Sequence, residues 1–179
     1  MNKAVFLDRD GIINIDKNYV YKIEDFEFVP GIIHLLKIFK EMGYLLIIVT
    51  NQSGIARGYF TEEEFNILNN WMINKLLEYG VEITATYYCP HHPNAFIKEY
   101  RKKCECRKPG IALFIQAAND YNIDFDNSIA IGDKLRDCEI CNVTNCKGFL
   151  VTDEEICCSS NIIRVSSILE ICNYFKKIT

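Results

Sequence analysis

Asp8-Arg9-Asp10-Gly11 stands directly after Ala4-Val5-Phe6-Leu7, an apolar run with the bulk of a buried strand. Two carboxylates two residues apart on an extended chain point the same way, roughly 6–7 Å apart. Gly11 then lets the backbone turn away. Acids presented together at the mouth of a buried strand repel, which calls for a cation, a shared proton or catalysis. A polar strand end turning in solvent is the plainer alternative. Polar groups recur after other apolar runs: Thr50-Asn51-Gln52-Ser53-Gly54 after Tyr44–Val49, Cys89-Pro90-His91-His92 after Ile83–Tyr88, and Gly132-Asp133-Lys134 after Ile129–Ile131.

Asp8 and Asp133 together offer a hard cation two carboxylates, and Mg²⁺ is commonly held by so few protein ligands, with waters and a substrate phosphate completing the octahedron. Thr50 supplies a hydroxyl, Asn51 an amide, and Lys108, after Cys106-Arg107, a cation. Such a set suits phosphoryl transfer, where positioning and charge neutralisation do most of the catalysis. One carboxylate can serve as nucleophile and another can handle the leaving-group proton. Asp133 as a mere helix cap is the competing reading, but chance would have to repeat at every strand end.

Cys89-Pro90-His91 and Cys104-Glu105-Cys106 bracket a 12-residue polar, basic loop. Three thiols and an imidazole form the ligand set of a closed structural zinc site. Cys138, Cys141 and Cys146 are expected to be small core residues, because a free cysteine packs as a hydrophobe. Cys157, Cys158 and Cys172 show no pattern.

The elements that must position these groups alternate. Pro30-Gly31 opens a helical pattern through Ile32, Leu35, Leu36 and Phe39 that stops at Gly43. Thr61-Glu62-Glu63-Glu64 reads as a capping box, followed by a stripe of Phe65, Leu68, Met72 and Leu76. Further helices are expected at about 111–121, after Asp133, and near 166–175, with strands at 128–131 and 148–151. Alternation at this spacing predicts an α/β fold, a three-layer doubly wound, mostly parallel sheet, in which ligands bind outside the carboxyl ends of the strands.

At 179 residues, with 49% hydrophobic and 25% charged residues, the chain has the composition of one soluble globular domain, 1–179, with zinc-binding loop 89–106. A net charge of -4 argues against nucleic acid as partner. No run approaches the roughly 20 apolar residues of a membrane span, and the N-terminal residues do not read as an export signal. Nine cysteines then point to reduced thiols or metal ligands in the cytoplasm. A monomer is the default, since no long exposed apolar stripe asks for a partner.

Asp8-Arg9-Asp10-Gly11, Thr50-Asn51, Lys108, and Gly132-Asp133-Lys134 with Asp137 resemble, in order and separation, the four motifs of the haloacid-dehalogenase-like phosphatases. The resemblance covers nearly the whole chain and implies that family's fold without a large cap domain. It implies Asp8 as nucleophile, Asp10 as general acid/base, and Thr50 and Lys108 as holders of the phosphoryl group. It places Mg²⁺ between Asp8, the backbone carbonyl of Asp10 and Asp133, with Lys134 adjacent and Asp137 in support. The cysteine loop resembles that of a zinc-containing subgroup acting on histidinol phosphate or on a heptose 1,7-bisphosphate, with Cys89, His91, Cys104 and Cys106, rather than His92, as ligands. The runs Asn51–Gly58 and Tyr87–Pro93 resemble the sugar-acting branch. That branch removes the C7 phosphate on the way to nucleotide-activated heptose and surface glycans such as lipopolysaccharide, so a small phosphorylated sugar is the implied partner. Substrate contacts then fall on Asp16, Lys17, Asn18, Tyr19, Thr50, Asn51, Gln52, Ser53, Arg57, Arg107, Lys108 and Lys134, with Arg107 gripping the phosphate that stays. The chain departs from the pattern in having Ile12 where the family has Thr, and Gly110-Ile111 directly after Pro109. The alternatives are histidinol-phosphate hydrolysis, a nucleic-acid 3′-phosphatase using the basic loop, and a non-catalytic zinc module.

Overall fold

Side chains of Ala4–Leu7 (β1) alternate between two cores, as a strand buried on both faces requires. In the computed structural model, which describes residues 1–176, β1 lies at the centre of one six-stranded sheet of order β3-β2-β1-β4-β5-β6. The other strands are β2 Leu45–Asn51, β3 Ala85–Cys89, β4 Ile129–Gly132, β5 Lys147–Val151 and β6 Ile162–Val165. Every pairing is parallel, so the sheet is wholly rather than mostly so. Helices α1 Ile32–Glu41, α2 Ser53–Arg57, α3 Glu62–Glu78, α4 Ala112–Tyr121, α5 Ile140–Val143 and α6 Ile168–Lys176 connect or follow the strands.

Val5, Leu7, Leu46, Ile48 and Phe149 pack with apolar residues of α1, α3 and α6 on one face. Ala4, Phe6, Ile47, Val49 and Leu150 pack with Leu113, Phe114 and Ala117 of α4 on the other. Three layers result. Thr61 caps α3 as read: its hydroxyl accepts from Glu64 N–H at 3.1 Å, and Glu64 accepts from Thr61 N–H at 2.7 Å.

Several features depart from the sequence reading. β3 begins two residues later than expected and ends on Cys89. β6 had no legible signal: Ile162-Ile163-Arg164-Val165 is short and becomes a strand by pairing with β5 at the sheet edge. Ser53–Arg57 forms a short helix stopped by Gly58. Cys138, Cys141 and Cys146 are buried in the core as expected. Ile12 is fully buried there too, so the residue that replaces the family threonine faces the core. Among the described residues no helix is long and apolar enough to cross a membrane.

The chain winds outward from β1 in both directions, through β2 and β3 on one side and β4 to β6 on the other. The switch point therefore falls between β1 and β4, where the carboxyl ends of neighbouring strands diverge and leave a crevice.

Candidate active site

Asp8 leaves β1 at that crevice with its N–H donating to the Ile131 carbonyl of β4 at 3.0 Å. An open cleft of about 270 Å³ lies above it, lined by Asp8, Asp10, Asp16, Asn18, Tyr19, Asn51, Gln52, Ser53, Arg57, Arg107, Asp133, Lys134 and Arg136. Gly11 is needed here: its φ is +88°, and a Cβ would stand 2.7 Å from the Asp133 carboxyl carbon. Thus the turn after β1 and the acid after β4 close on each other only because residue 11 has no side chain.

Lys108 reaches the floor from below. Its buried ammonium donates to the Val49 carbonyl at 2.6 Å and sits 3.1 Å from Asp8 and 2.8 Å from Asp137, which uses all three of its protons. Asn51 holds the Lys108 backbone from both sides, donating to its carbonyl and accepting from its N–H, each at 3.0 Å. Thr50 is buried beside Asp8, to which its hydroxyl donates, and accepts from Gln52 at 3.1 Å. Thr50 and Lys108 therefore lie beneath the floor of the cleft.

Asp10 is gripped by three donors. Arg9 Nη2 bonds both of its oxygens at 3.0 Å, Asn14 bonds Oδ1 at 3.0 Å, and Gln52 bonds Oδ2 at 2.9 Å. Arg9 is fully buried, donates also to the Val20 carbonyl at 2.8 Å, and lies over the Phe65 ring. Neither Arg9 nor Asn14 is singled out by the sequence reading. The available signal was a charged residue flanked by two acids, since such a cation must be buried with one of them.

Burial pushes the Asp8 carboxyl up to about 7, with Asp137 and Asp10 adding to the rise, against the opposing effect of Lys108 and the Thr50 hydroxyl. Burial also raises Asp133, with Asp137 beside it. Burial opposes the charge on Lys108, but Asp8 and Asp137 outweigh it and hold the ammonium above its ordinary range. Acids crowded and raised in this way fit a cation. Asp8, Asp133 and Asp137 bring carboxylate oxygens within 4.8 Å of one another. Asp137 already spends one oxygen on Lys108 and accepts the Lys134 N–H at 3.0 Å with the other. Asp8 and Asp133 remain as the acids that could hold an ion, Asp133 with the Lys134 ammonium 3.2 Å away.

The cysteine loop closes on itself. Cys106 Sγ lies 3.2 Å from Cys104, 3.3 Å from Cys89 and 3.3 Å from His91 Nδ1, and Cys89 lies 3.6 Å from both Cys104 and His91. All nine cysteines are free thiols, so no disulfide explains the crowding. Three thiols and an imidazole this close are a set that could hold a metal ion. His92 turns away, its Nε2 3.5 Å from Arg57 and its Nδ1 accepting from Asn94 N–H. Gly110, at the departure after Pro109, sits where a Cβ would be 2.2 Å from the Glu105 carbonyl, so it lets the Lys108 segment lie against this loop. The loop is tied to α3 through Glu62, which accepts from Tyr88 and Tyr100 hydroxyls.

Arg107 donates to the His91 carbonyl at 3.2 Å and is half-buried at the cleft edge. Burial lowers its pKa, and Arg136 and Arg57 lower it further. Cys89 and Cys104 oppose that shift, and a partly desolvated group of like charges has the chemistry to meet an anion. Arg136, on the turn Leu135–Cys138, is a cleft residue that the sequence reading missed, because its spacing after Asp133 has no motif value. Lys17 pairs with Glu27 at 3.1 Å and is not among the cleft-lining residues. Lys98, Arg101, Lys102 and Lys103 are exposed, as a solvated basic loop should be.

A HAD-hydrolase-like family model matches residues 105–156. A D-glycero-beta-D-manno-heptose-1,7-bisphosphate 7-phosphatase of Photorhabdus laumondii is 52% identical over 134 residues, 75% of this chain and 71% of the relative. The enzyme of the same name from Haemophilus ducreyi is 54% identical over 136 residues, covering 75% and 74%. Among solved structures, the D,D-heptose 1,7-bisphosphate phosphatase of B. bronchiseptica, complexed with magnesium and phosphate, superposes with a TM-score of 0.86 at 25% identity, covering 99% of both chains.

Proposed function

The chain belongs to the D,D-heptose 1,7-bisphosphate phosphatases of the haloacid-dehalogenase-like hydrolases, and on that premise we propose how its own residues carry the reaction. The substrate is D-glycero-β-D-manno-heptose 1,7-bisphosphate, from which the C7 phosphate is removed. The observation that carries this is the placement of buried Asp8 in a cleft that also carries Asp10, Asp133 and a cluster of arginines. One phosphate meets Asp8, and the other meets Arg107.

Asp8 attacks phosphorus, the bond to the C7 oxygen breaks, and an aspartyl-phosphate forms. Asp10, aimed by Arg9, Asn14 and Gln52, gives its proton to the departing C7 alkoxide and then takes one from the water that releases phosphate. Lys108 and Thr50 hold the Asp8 carboxylate from below and would each turn that proton to a phosphoryl oxygen as Asp8 bonds to phosphorus and loses its charge, while Asn51 fixes Lys108 by its backbone. Asp8, the Asp10 backbone carbonyl and Asp133 would hold Mg²⁺, which when bound neutralises phosphoryl charge and keeps Asp8 ionised. Cys89, His91, Cys104 and Cys106 would hold a structural Zn²⁺. Asp16, Asn18, Tyr19, Ser53, Arg57, Arg107 and Lys134 contact the sugar and its retained phosphate. Residues 1–179 form one catalytic domain, acting as a monomer in a reducing cytoplasm that keeps its nine thiols free.

Phosphate release from the β- and α-bisphosphates, with histidinol phosphate as control, tests the assignment. The β anomer should give the highest kcat/KM and histidinol phosphate at least about a hundredfold less, since it leaves the arginine cluster unpaired. Preference for histidinol phosphate would overturn it.

A further inference from the structure

Tyr19 is the one aromatic residue lining an otherwise polar and charged cleft, among the described residues. Its ring is therefore the main apolar face offered to the carbon chain between two phosphates. It stands in an unusual backbone state: Asn18 and Tyr19 both have φ of +61°, a region that a bulky side chain seldom occupies. Conformations of this kind persist only where the surroundings hold them. Asn18 N–H donates to Asp16 at 2.9 Å, which fixes the start of the turn. Tyr19 is 40% exposed, and its ring meets Tyr59 edge to face, centroids 4.8 Å apart and planes at 68°.

Tyr59 does not line the cleft and is 54% exposed. Its backbone is fixed by the stop of α2, where its N–H donates to the Gly54 carbonyl at 3.0 Å. The neighbouring pair, Tyr21 stacked on buried Phe60 at 5.3 Å, already anchors the loop after β1 to the segment after α2. The outer pair thus adds a contact to the Tyr19 ring beyond the one that already ties these two segments together. We propose that Tyr59 is a positioning residue that holds the Tyr19 ring toward the sugar and so sets affinity for a substrate long enough to reach it. This rests on the heptose bisphosphate reading above.

The test compares wild type, Tyr59→Ala, Tyr59→Phe, Tyr19→Ala and the double alanine variant on the β-heptose 1,7-bisphosphate and on acetyl phosphate, which has no sugar for Tyr19 to meet. Tyr59→Ala should raise KM for the bisphosphate about three- to tenfold, the scale of one aromatic pair, with kcat within about twofold. Acetyl phosphate kinetics should not change, and Tyr59→Phe should match wild type. The double variant should be no worse than Tyr19→Ala, because Tyr59 acts through Tyr19. An unchanged bisphosphate KM in Tyr59→Ala, equal losses on both substrates, or additive losses in the double variant would overturn the inference. If wild type cleaves acetyl phosphate but not the bisphosphate, the substrate reading itself fails and takes this inference with it. If wild type cleaves both and Tyr59→Ala is unaltered, only the inference fails.

Discussion

Asp8 has to be charged to attack, yet its surroundings push its carboxyl up to about 7, chiefly through burial. The unfolded chain binds that proton only below about 3.9, so between roughly pH 4 and 7 the metal-free native state holds the extra proton. Its stabilising contribution is complete below pH 4 and is lost as pH rises through 7. Asp8→Asn removes this dependence. In Mg²⁺-free buffer the Tm of that variant should therefore gain on wild type as pH rises from 4 to 7, and a constant difference would contradict the electrostatic account. With Mg²⁺ present its kcat should fall by at least about a thousandfold, as removal of a nucleophile does. Both acids of the first motif were legible from their types and spacing. The roles of Asn51 and Gln52 were not: their side chains turn inward, onto Lys108 and Asp10, and no local pattern reveals which way an amide points.

Strand ends and helix stripes were legible because burial on two faces imposes continuous apolar runs and a capped helix carries its own signature, as at Thr61. Short elements formed by tertiary pairing, β6 and α2, were not, since their local preferences are too weak to decide. The cysteine loop could be read because four candidate ligands, three cysteines and one histidine in two closely spaced pairs, leave few other uses. It links element to site: Cys106 precedes Arg107, whose guanidinium leans on the His91 carbonyl. Treatment with a chelator should then raise trypsin cleavage at Lys98, Arg101, Lys102 and Lys103 on the order of tenfold. After the same treatment and return of Mg²⁺, KM for the bisphosphate should rise more than kcat on acetyl phosphate falls. Equal cleavage with and without metal would show that the loop needs no staple.

Across the whole molecule, charge is gathered at one place. A chain of net charge -4 brings Arg57, Arg107 and Arg136 to the same cleft as Asp8, Asp10 and Asp133, with the Lys134 ammonium 3.2 Å from Asp133. The parallel sheet makes this possible by ending β1, β2 and β4 at one rim, so that residues more than a hundred positions apart meet. Such a cleft is polar at both ends and directional, and the account turns on that direction: the phosphate at Asp8 leaves and the one at Arg107 stays. ³¹P NMR of the β-bisphosphate during turnover tests it most directly. The account predicts inorganic phosphate and a sugar phosphate whose remaining phosphorus is on the anomeric carbon. A product that keeps its phosphate at C7 would contradict it.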